Sequence, residues 1–166
     1  MLTDSLAVWY ENGQWNPFPH PIRTPTQHNN VSQATRITQG IDGPMLQLVV
    51  DEQSLWIASK TNGLYQVDRK SGQIRQYRHQ PSDLTSLSSN QLFCLASDPI
   101  DKSILWIGTF GNGLCRFNKR TGKSRRFTRQ DGLPNNVIYA AIPDQQHFLW
   151  IATNQGICRL NRQTFQ

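Results

Sequence analysis

A five-residue block recurs three times in the chain. Leu55-Trp56-Ile57-Ala58-Ser59 returns as Leu105-Trp106-Ile107-Gly108-Thr109 and again as Leu149-Trp150-Ile151-Ala152-Thr153. The tryptophans lie 50 and 44 residues apart. Each copy leads into a second block: Asn62-Gly63-Leu64-Tyr65, Asn112-Gly113-Leu114-Cys115 and Gln155-Gly156-Ile157-Cys158. A third block follows, at Asp68-Arg69-Lys70-Ser71-Gly72, Asn118-Lys119-Arg120-Thr121-Gly122 and Asn161-Arg162-Gln163-Thr164. An aromatic comes five residues after each complete glycine, at Tyr77 and Phe127. Asn12-Gly13 followed by Phe18 has the same offset. The chain therefore opens late in one repeat, runs through two whole ones and stops late in the next. A fixed period of this length means a stacked array, in which each unit buries its apolar face against its neighbours.

The unit reads as four antiparallel strands. Leu-Trp-Ile-Gly-Thr is short, β-branched and aromatic, and polar turn residues bound it. Gly-Leu-Cys-Arg-Phe-Asn alternates and forms the next strand; Thr-Gly then makes a tight turn, because glycine accepts positive φ. Lys123 to Thr128 is a basic outer strand. Leu92 to Ala96 and Val137 to Ile142 are near-continuous apolar runs. They are expected to be inner strands buried on both faces. Four strands in about 40–45 residues make one blade of a β-propeller. Composition agrees: 17 Gln, 12 Asn, 12 Ser and 12 Thr against 7 Ala and 2 Glu. Such a chain is rich in turns and poor in helix formers.

These blocks, with Asp131-Gly132-Leu133-Pro134-Asn135-Asn136 before the next inner strand, resemble the two-component regulator propeller repeat. The resemblance covers roughly residues 45–166 and extends weakly over 6–18. It is specific at Leu105–Gly122 and Gly132–Asn136. The family usually has Gly-Gly-Leu where this chain has Asn-Gly-Leu or Gln-Gly-Ile, and residues 19–44 fit poorly. The resemblance implies a sensor propeller of bacterial hybrid histidine kinases and related signalling proteins, placed in the periplasm. Full sensors of that kind also carry a transmembrane helix and a signalling domain.

The expected fold is all-β: a partial β-propeller of about three four-stranded antiparallel blades, the last lacking its outer strand. Residues 1–18 read as the last two strands of a preceding blade and 19–44 as an irregular connection. Residues 45–78 and 92–128 read as blades, and 137–166 as the incomplete one. Thirteen strands are expected in all. Residues 14–18 match the missing outer strand, so ring closure is available within a larger chain or between copies. The expected partners are thus further blades or another copy of the chain.

Several functions are disfavoured. No apolar run approaches the roughly 20 residues of a membrane span. The start, Met1 to Val8, lacks a secretory signal, so a complete chain would stay in the cytoplasm. His20, His28, His79 and His147 share no metal-ligand spacing. Asp98 and Asp101 bracket Pro99 and read as a turn rather than a calcium loop. No catalytic or phosphate-binding motif occurs. Neither a metal, a cofactor nor an enzymatic activity is expected. Cys94, Cys115 and Cys158 read as free core thiols, because repeat-equivalent positions in adjacent blades stand too far apart to bridge. Asn30-Val31-Ser32 is a glycosylation sequon in form only.

The net charge is +6, and thirteen of the seventeen Lys and Arg lie between Lys60 and Arg129. The densest group falls on the outer strand. A solvated edge that resists sheet-to-sheet pairing explains it better than a nucleic-acid site. Trp56, Trp106 and Trp150 occupy one repeat position. Packing between blades explains them better than stacking on a sugar or base.

Strand parity gives the functional expectation. Loops of an antiparallel meander alternate between the two faces of the disc. One face carries Lys60, Asn62, Asn90, Phe110, Asn112, Asn135, Asn136 and Asn154. Amides repeated around an axis suit a neutral polar ligand such as a glycan, although Asn before Gly is also ordinary turn chemistry. The function expected is ligand recognition without catalysis. The alternative is a scaffold propeller of the quinoprotein-like kind that mediates protein–protein contacts, for which Thr121-Gly122-Lys123 speaks and Leu-Trp-Ile speaks against.

Overall fold

Short β-branched and aromatic runs separated by Gly-containing turns become hairpin-linked strands. The computed structural model describes residues 8–11, 14–17 and 40–166. Thirteen strands lie among them: β1 Val8–Glu11, β2 Gln14–Pro17, β3 Met45–Val50, β4 Ser54–Ser59, β5 Gly63–Asp68, β6 Ile74–Tyr77, β7 Leu92–Ser97, β8 Ile104–Thr109, β9 Leu114–Asn118, β10 Lys123–Phe127, β11 Ile138–Pro143, β12 Phe148–Thr153 and β13 Gly156–Asn161. The only helical turn among the described residues is a 3-10 turn at Arg129–Asp131. The connection expected at 19–44 falls outside the described residues as far as residue 39. So do the side chains of Trp9 and Trp15, together with His20, His28 and the sequon at Asn30.

The strands form antiparallel meanders. β3-β4-β5-β6 and β7-β8-β9-β10 are four-stranded, β11-β12-β13 is three-stranded, and β1-β2 is a two-stranded ribbon. Among the described residues the last sheet has no outer strand, as the repeat pattern implies. The architecture is all-β and propeller-like.

Alternation decides which side chains meet between sheets. Trp56, Ala58 and Leu64 of the first sheet pack on Leu92, Leu95, Leu105, Ile107, Cys115 and Phe117 of the second. From the opposite face of the second sheet, Ile104, Trp106, Leu114 and Phe127 pack on Ile138, Ala141, Leu149, Ile151 and Leu160 of the third. Trp56 and Trp106 thus point toward the sheet that follows. Trp56 and Trp106 are 1% and 0% exposed. Trp150, expected in the core with them, is instead 45% exposed. Among the described residues no further sheet covers it.

The inner strands also depart from expectation. β7 lies between two sheets and is largely buried. β3 leaves Leu46, Leu48 and Val50 exposed, and β11 leaves Tyr139 and Ile142 exposed. On the first sheet the exposure is confined to β3, since Ile57, Tyr65 and Val67 on the same face as Leu48 are buried; on the last sheet no further sheet covers β11 among the described residues.

At Gly108 the second and third sheets come close together. Its repeat equivalents are Ala58 and Ala152. A Cβ at Gly108 would overlap Cys94 Sγ and lie 2.8 Å from Ile138 Cγ2. The central sheet has no room there for even one methyl group.

Candidate functional site

The face expected to carry a site is assembled by backbone hydrogen bonds between loops. Each loop between a sheet's second and third strands is tied to the start of its own inner strand: Lys60 N donates to Pro44 O (2.8 Å), Phe110 N to Gln91 O (3.1 Å) and Asn154 N to Val137 O (3.2 Å). Two of these loops are also tied to the next sheet. Gly63 N donates to Asn90 O (2.9 Å) and Gly113 N to Asn136 O (2.8 Å). Gly63 and Gly113 need to be glycine. Their φ values are +79° and +78°, and a Cβ would run into the carbonyl oxygens of Tyr77 and Phe127. The structure therefore brings Lys60, Asn62, Asn90, Phe110, Asn112, Asn135, Asn136 and Asn154 to one rim.

Most of their amides are engaged within the chain. Asn90 Oδ1 accepts from His79 N (2.8 Å), and Asn136 Oδ1 accepts from Arg129 N (2.8 Å). These two clip the long connections between sheets at matching positions. Asn135 Oδ1 accepts from Val137 N (2.8 Å), a local turn bond. Asn62 Nδ2 donates to Asp42 O (2.9 Å). Asn154 Oδ1 accepts from the Tyr139 hydroxyl (3.2 Å). Lys60 and Asn112 are exposed. A polar, open depression lined by Thr128, Arg129, Gln130 and Asn136 adjoins the rim.

Sequence reasoning missed the aromatic part of this face. The pairing of each inner strand with its neighbour shifts register once, between Met45 and Gln47, Leu92 and Cys94, and Ile138 and Ala140. One residue is inserted each time: Leu46, Phe93 and Tyr139. A bulge re-aims the inserted side chain out of the alternation. The Phe93 ring lies 5.0 Å from Phe110 and 6.1 Å from Tyr139, centroid to centroid, the latter pair stacked at 22°. Phe110 and Tyr139 are half exposed. A shelf of three aromatic rings thus rises beside the amides, with a hydroxyl and an amide at its edge. The recurrence of an extra residue in each inner strand is the one signal that would have found it.

The opposite, hairpin end of the sheets carries a different repeated constellation. Asp51, Asp98 and Asp144 each accept from the indole Nε1 of their own sheet's tryptophan, at 2.9, 2.9 and 3.1 Å. The first two also meet a cation from the next sheet. Lys119 Nζ lies 2.8 Å from Asp51 Oδ2 and Arg162 Nη1 lies 2.6 Å from Asp98 Oδ1. Burial alone would raise the Asp98 carboxyl. The Arg162 guanidinium, the Trp106 indole and the N–H groups of Asp101 and Ile100 outweigh that and hold it below the ordinary carboxylate value. Asp98 and Asp101 do form the expected turn, since Asp98 Oδ1 accepts from Ile100 N and Asp101 N. The Asp98 charge also ties two sheets together.

The basic cluster is less solvated than its sequence implies. Arg126 donates to the carbonyl oxygens of Asp83, Ser86 and Leu87. Arg125 lies over the rings of Phe127 (4.8 Å) and Phe165 (4.4 Å). Lys119 is half of an inter-sheet ion pair. The three cysteines are free. Burial pushes the Cys94 thiol up to about 11 and raises Cys115 and Cys158 as well. Among the described residues no three His, Cys, Asp or Glu side chains gather as metal ligands.

The sequence profile of the two component regulator propeller matches residues 132–155. That segment runs from the turn before β11 through β12 and the loop after it. No curated protein matches the chain. Solved propeller structures do. The extracellular domain of BT3049, assigned to a hybrid two component system of B. thetaiotaomicron, superposes with a TM-score of 0.70 at 20% identity. The match covers 94% of this chain and 20% of that one. The extracellular domain of BT4673 from the same organism gives 0.62 at 23% identity, over 74% of this chain and 17% of that one. PorZ of Porphyromonas gingivalis, a surface component of the type-IX secretion system, gives 0.57 at 21% identity, over 70% and 17%. The chain thus spans about a fifth of the length of these structures, and the likeness establishes the propeller fold.

Proposed function

We propose that the chain is a non-catalytic recognition module of a bacterial signal-transduction protein. Its loop-bearing face takes a neutral polar ligand with an apolar side, such as a glycan. The observation that carries this reading is the shelf of Phe93, Phe110 and Tyr139 beside Asn112, Asn154 and Lys60. A sugar ring offers C–H bonds on one side and hydroxyls at its edge, which match an aromatic surface rimmed by amides. The repeat at 132–155 and the likeness to extracellular sensor domains support the signalling context and a periplasmic location. A scaffold role is the second reading, favoured by the likeness to PorZ and by the exposed Ile142, Trp150 and Ile157 of the last sheet.

Isothermal titration calorimetry against a panel of oligosaccharides tests the proposal. Tyr139→Ala and Phe110→Ala should each weaken binding at least tenfold, about 1.4 kcal/mol. Asn112→Ala should weaken it by less. Asn136→Ala should act through the Arg129 turn and so lower thermal stability as well. Binding that survives loss of both Phe110 and Tyr139 would place the ligand elsewhere. Turnover of any bound saccharide would refute the non-catalytic reading.

A further inference from the structure

Asparagine followed by glycine is the dipeptide most prone to lose its side-chain amide without an enzyme. The glycine nitrogen, having given up its proton, attacks the asparagine Cγ. A C–N bond forms and the side-chain nitrogen leaves as ammonia. Water then opens the cyclic succinimide to aspartate or isoaspartate. Two such dipeptides, Asn62-Gly63 and Asn112-Gly113, stand on the loop-bearing rim. Reaction at either would replace a neutral amide by a carboxylate. The isoaspartate product would also add a methylene to the backbone of a turn between two paired strands.

The attacking nitrogen is engaged at both places. Gly63 N donates to Asn90 O (2.9 Å) and Gly113 N to Asn136 O (2.8 Å), and both glycines are buried. Each acceptor belongs to the connection that leads into the next sheet. The same residue anchors that connection through its side chain: Asn90 Oδ1 accepts from His79 N, and Asn136 Oδ1 from Arg129 N, both at 2.8 Å. One asparagine thus holds the glycine with its carbonyl and the connection with its amide, and the arrangement occurs twice. Asn62 has further restraints. Its Nδ2 donates to Asp42 O (2.9 Å) and its carbonyl oxygen accepts from Gln76 Nε2 (2.8 Å). Asn112 is exposed, and among the described residues its own N–H on Thr109 Oγ1 (3.2 Å) is its one hydrogen bond to a side chain.

We propose that Asn90 and Asn136 guard Asn62 and Asn112 against deamidation. A buried, hydrogen-bonded N–H reacts only from a locally opened form, so the reaction rate follows the opening equilibrium of the rim. Each guard sets that equilibrium by pinning the strip of backbone whose carbonyl holds the glycine. Asn112 is the more vulnerable of the two guarded residues, because fewer bonds fix it. The rim keeps its neutral amides as long as the connections stay anchored. None of this requires a ligand on the rim.

Peptide mapping by mass spectrometry, after incubation of the 166-residue chain at mildly alkaline pH, tests it against the same chain unfolded in urea. Both sites should deamidate about tenfold or more slowly in the folded chain, with Asn112 the faster of the two. Asn136→Ala should speed the reaction at Asn112 by about threefold or more and leave Asn62 unchanged; Asn90→Ala should do the reverse. Alanine keeps the accepting carbonyl, so each variant acts through the lost anchor alone. The untouched site in each variant is an internal control for folding. Equal acceleration at both sites, or none at either, overturns the guard roles. Amide hydrogen exchange gives a readout that needs no variant: Gly63 and Gly113 should exchange as slowly as the strands beside them. Fast exchange at these glycines, or a folded wild type that deamidates at the urea rate, overturns the proposal outright.

Discussion

Removing the Asp98 carboxylate should be the most costly single charge deletion in the described structure. Asp98 accepts from Trp106 Nε1 (2.9 Å), Ile100 N (2.9 Å) and Asp101 N (3.0 Å), and pairs with Arg162 at 2.6 Å. The two charged side chains are 6% and 5% exposed. Deleting one partner of a buried pair costs about 3–5 kcal/mol, because the other charge stays buried without compensation. A stranded indole N–H adds about 1–3 kcal/mol, partly the same penalty counted again. Asp98→Ala should therefore lose about 4 kcal/mol, a large share of a stability of about 5–15 kcal/mol. Asp51→Ala removes the same bonds from a site where the aspartate is 29% exposed and should lose about half as much. Asp144→Ala, beside a half-exposed tryptophan, should lose clearly less than either.

Urea unfolding at concentrations where the chain is monomeric measures all three. The acid limb gives a second test. The folded Asp98 carboxyl titrates below its ordinary value of 3.8. Its contribution is fully present above that value and is lost as pH falls through the lower folded-state value. In Asp98→Asn the loss of stability below about pH 4 should be shallower than in the wild type. If Asp144→Ala proves as costly as Asp98→Ala, coverage by the next sheet is not what gives this aspartate its weight.

Other substitutions test other parts of the architecture. Trp106→Ala should cost about 3–5 kcal/mol and Trp150→Ala well under half of that, by urea unfolding of the monomer. Equal losses would mean that Trp150 is not at an open face. Gly108→Ala should destabilise by about 1–3 kcal/mol through overlap with Cys94 and Ile138, seen as a lower Tm; an unchanged Tm would show that the sheets can part. All three thiols should titrate after unfolding without reductant, and in the folded chain Cys158 should react with a thiol reagent first; protection of Cys158 equal to that of Cys115 would contradict its partial exposure. Arg126→Ala should speed proteolysis between residues 78 and 90, because Arg126 holds three carbonyl oxygens of that connection; an unchanged cleavage rate would refute the clip.

The strands were legible in the sequence because their signal is periodic and local. Leu-Trp-Ile recurs at a near-constant distance from Asn-Gly and Thr-Gly, so count, order and pairing of strands follow from hairpin rules. The acidic half of the inter-sheet pair was not legible. Its aspartates precede their tryptophans by 5, 8 and 6 residues, since the hairpins between them differ in length. Exposure of Leu48, Val50 and Ile142 was illegible for another reason. The same apolar strand is a core strand where a neighbouring element covers it and is exposed where none does. On the candidate site, repeat position aligned the expected residues along one rim but did not show that most of their amides are engaged within the chain. Asn90 and Asn136 serve the chain's own turns, and the aromatic shelf depends on a register shift that composition does not reveal.

The two ends of each sheet divide the labour. At the hairpin end, tryptophan, aspartate and a cation from the next sheet fix how one sheet stacks on another. Changes there act through stability. At the loop end, backbone bonds through Gly63 and Gly113 already hold the rim, and Asn90 and Asn136 secure the connections. The bulged residues Leu46, Phe93 and Tyr139 therefore stand outside the alternation that fills the core. Their side chains can vary with little effect on the strands that carry them, since a repeat array draws its stability from stacking between neighbours. On the proposed reading, a fold of this kind can change what it recognises at the bulges while keeping its stacking constant. Tyr139 is the most informative of the three, because it joins the aromatic shelf to the amide of Asn154.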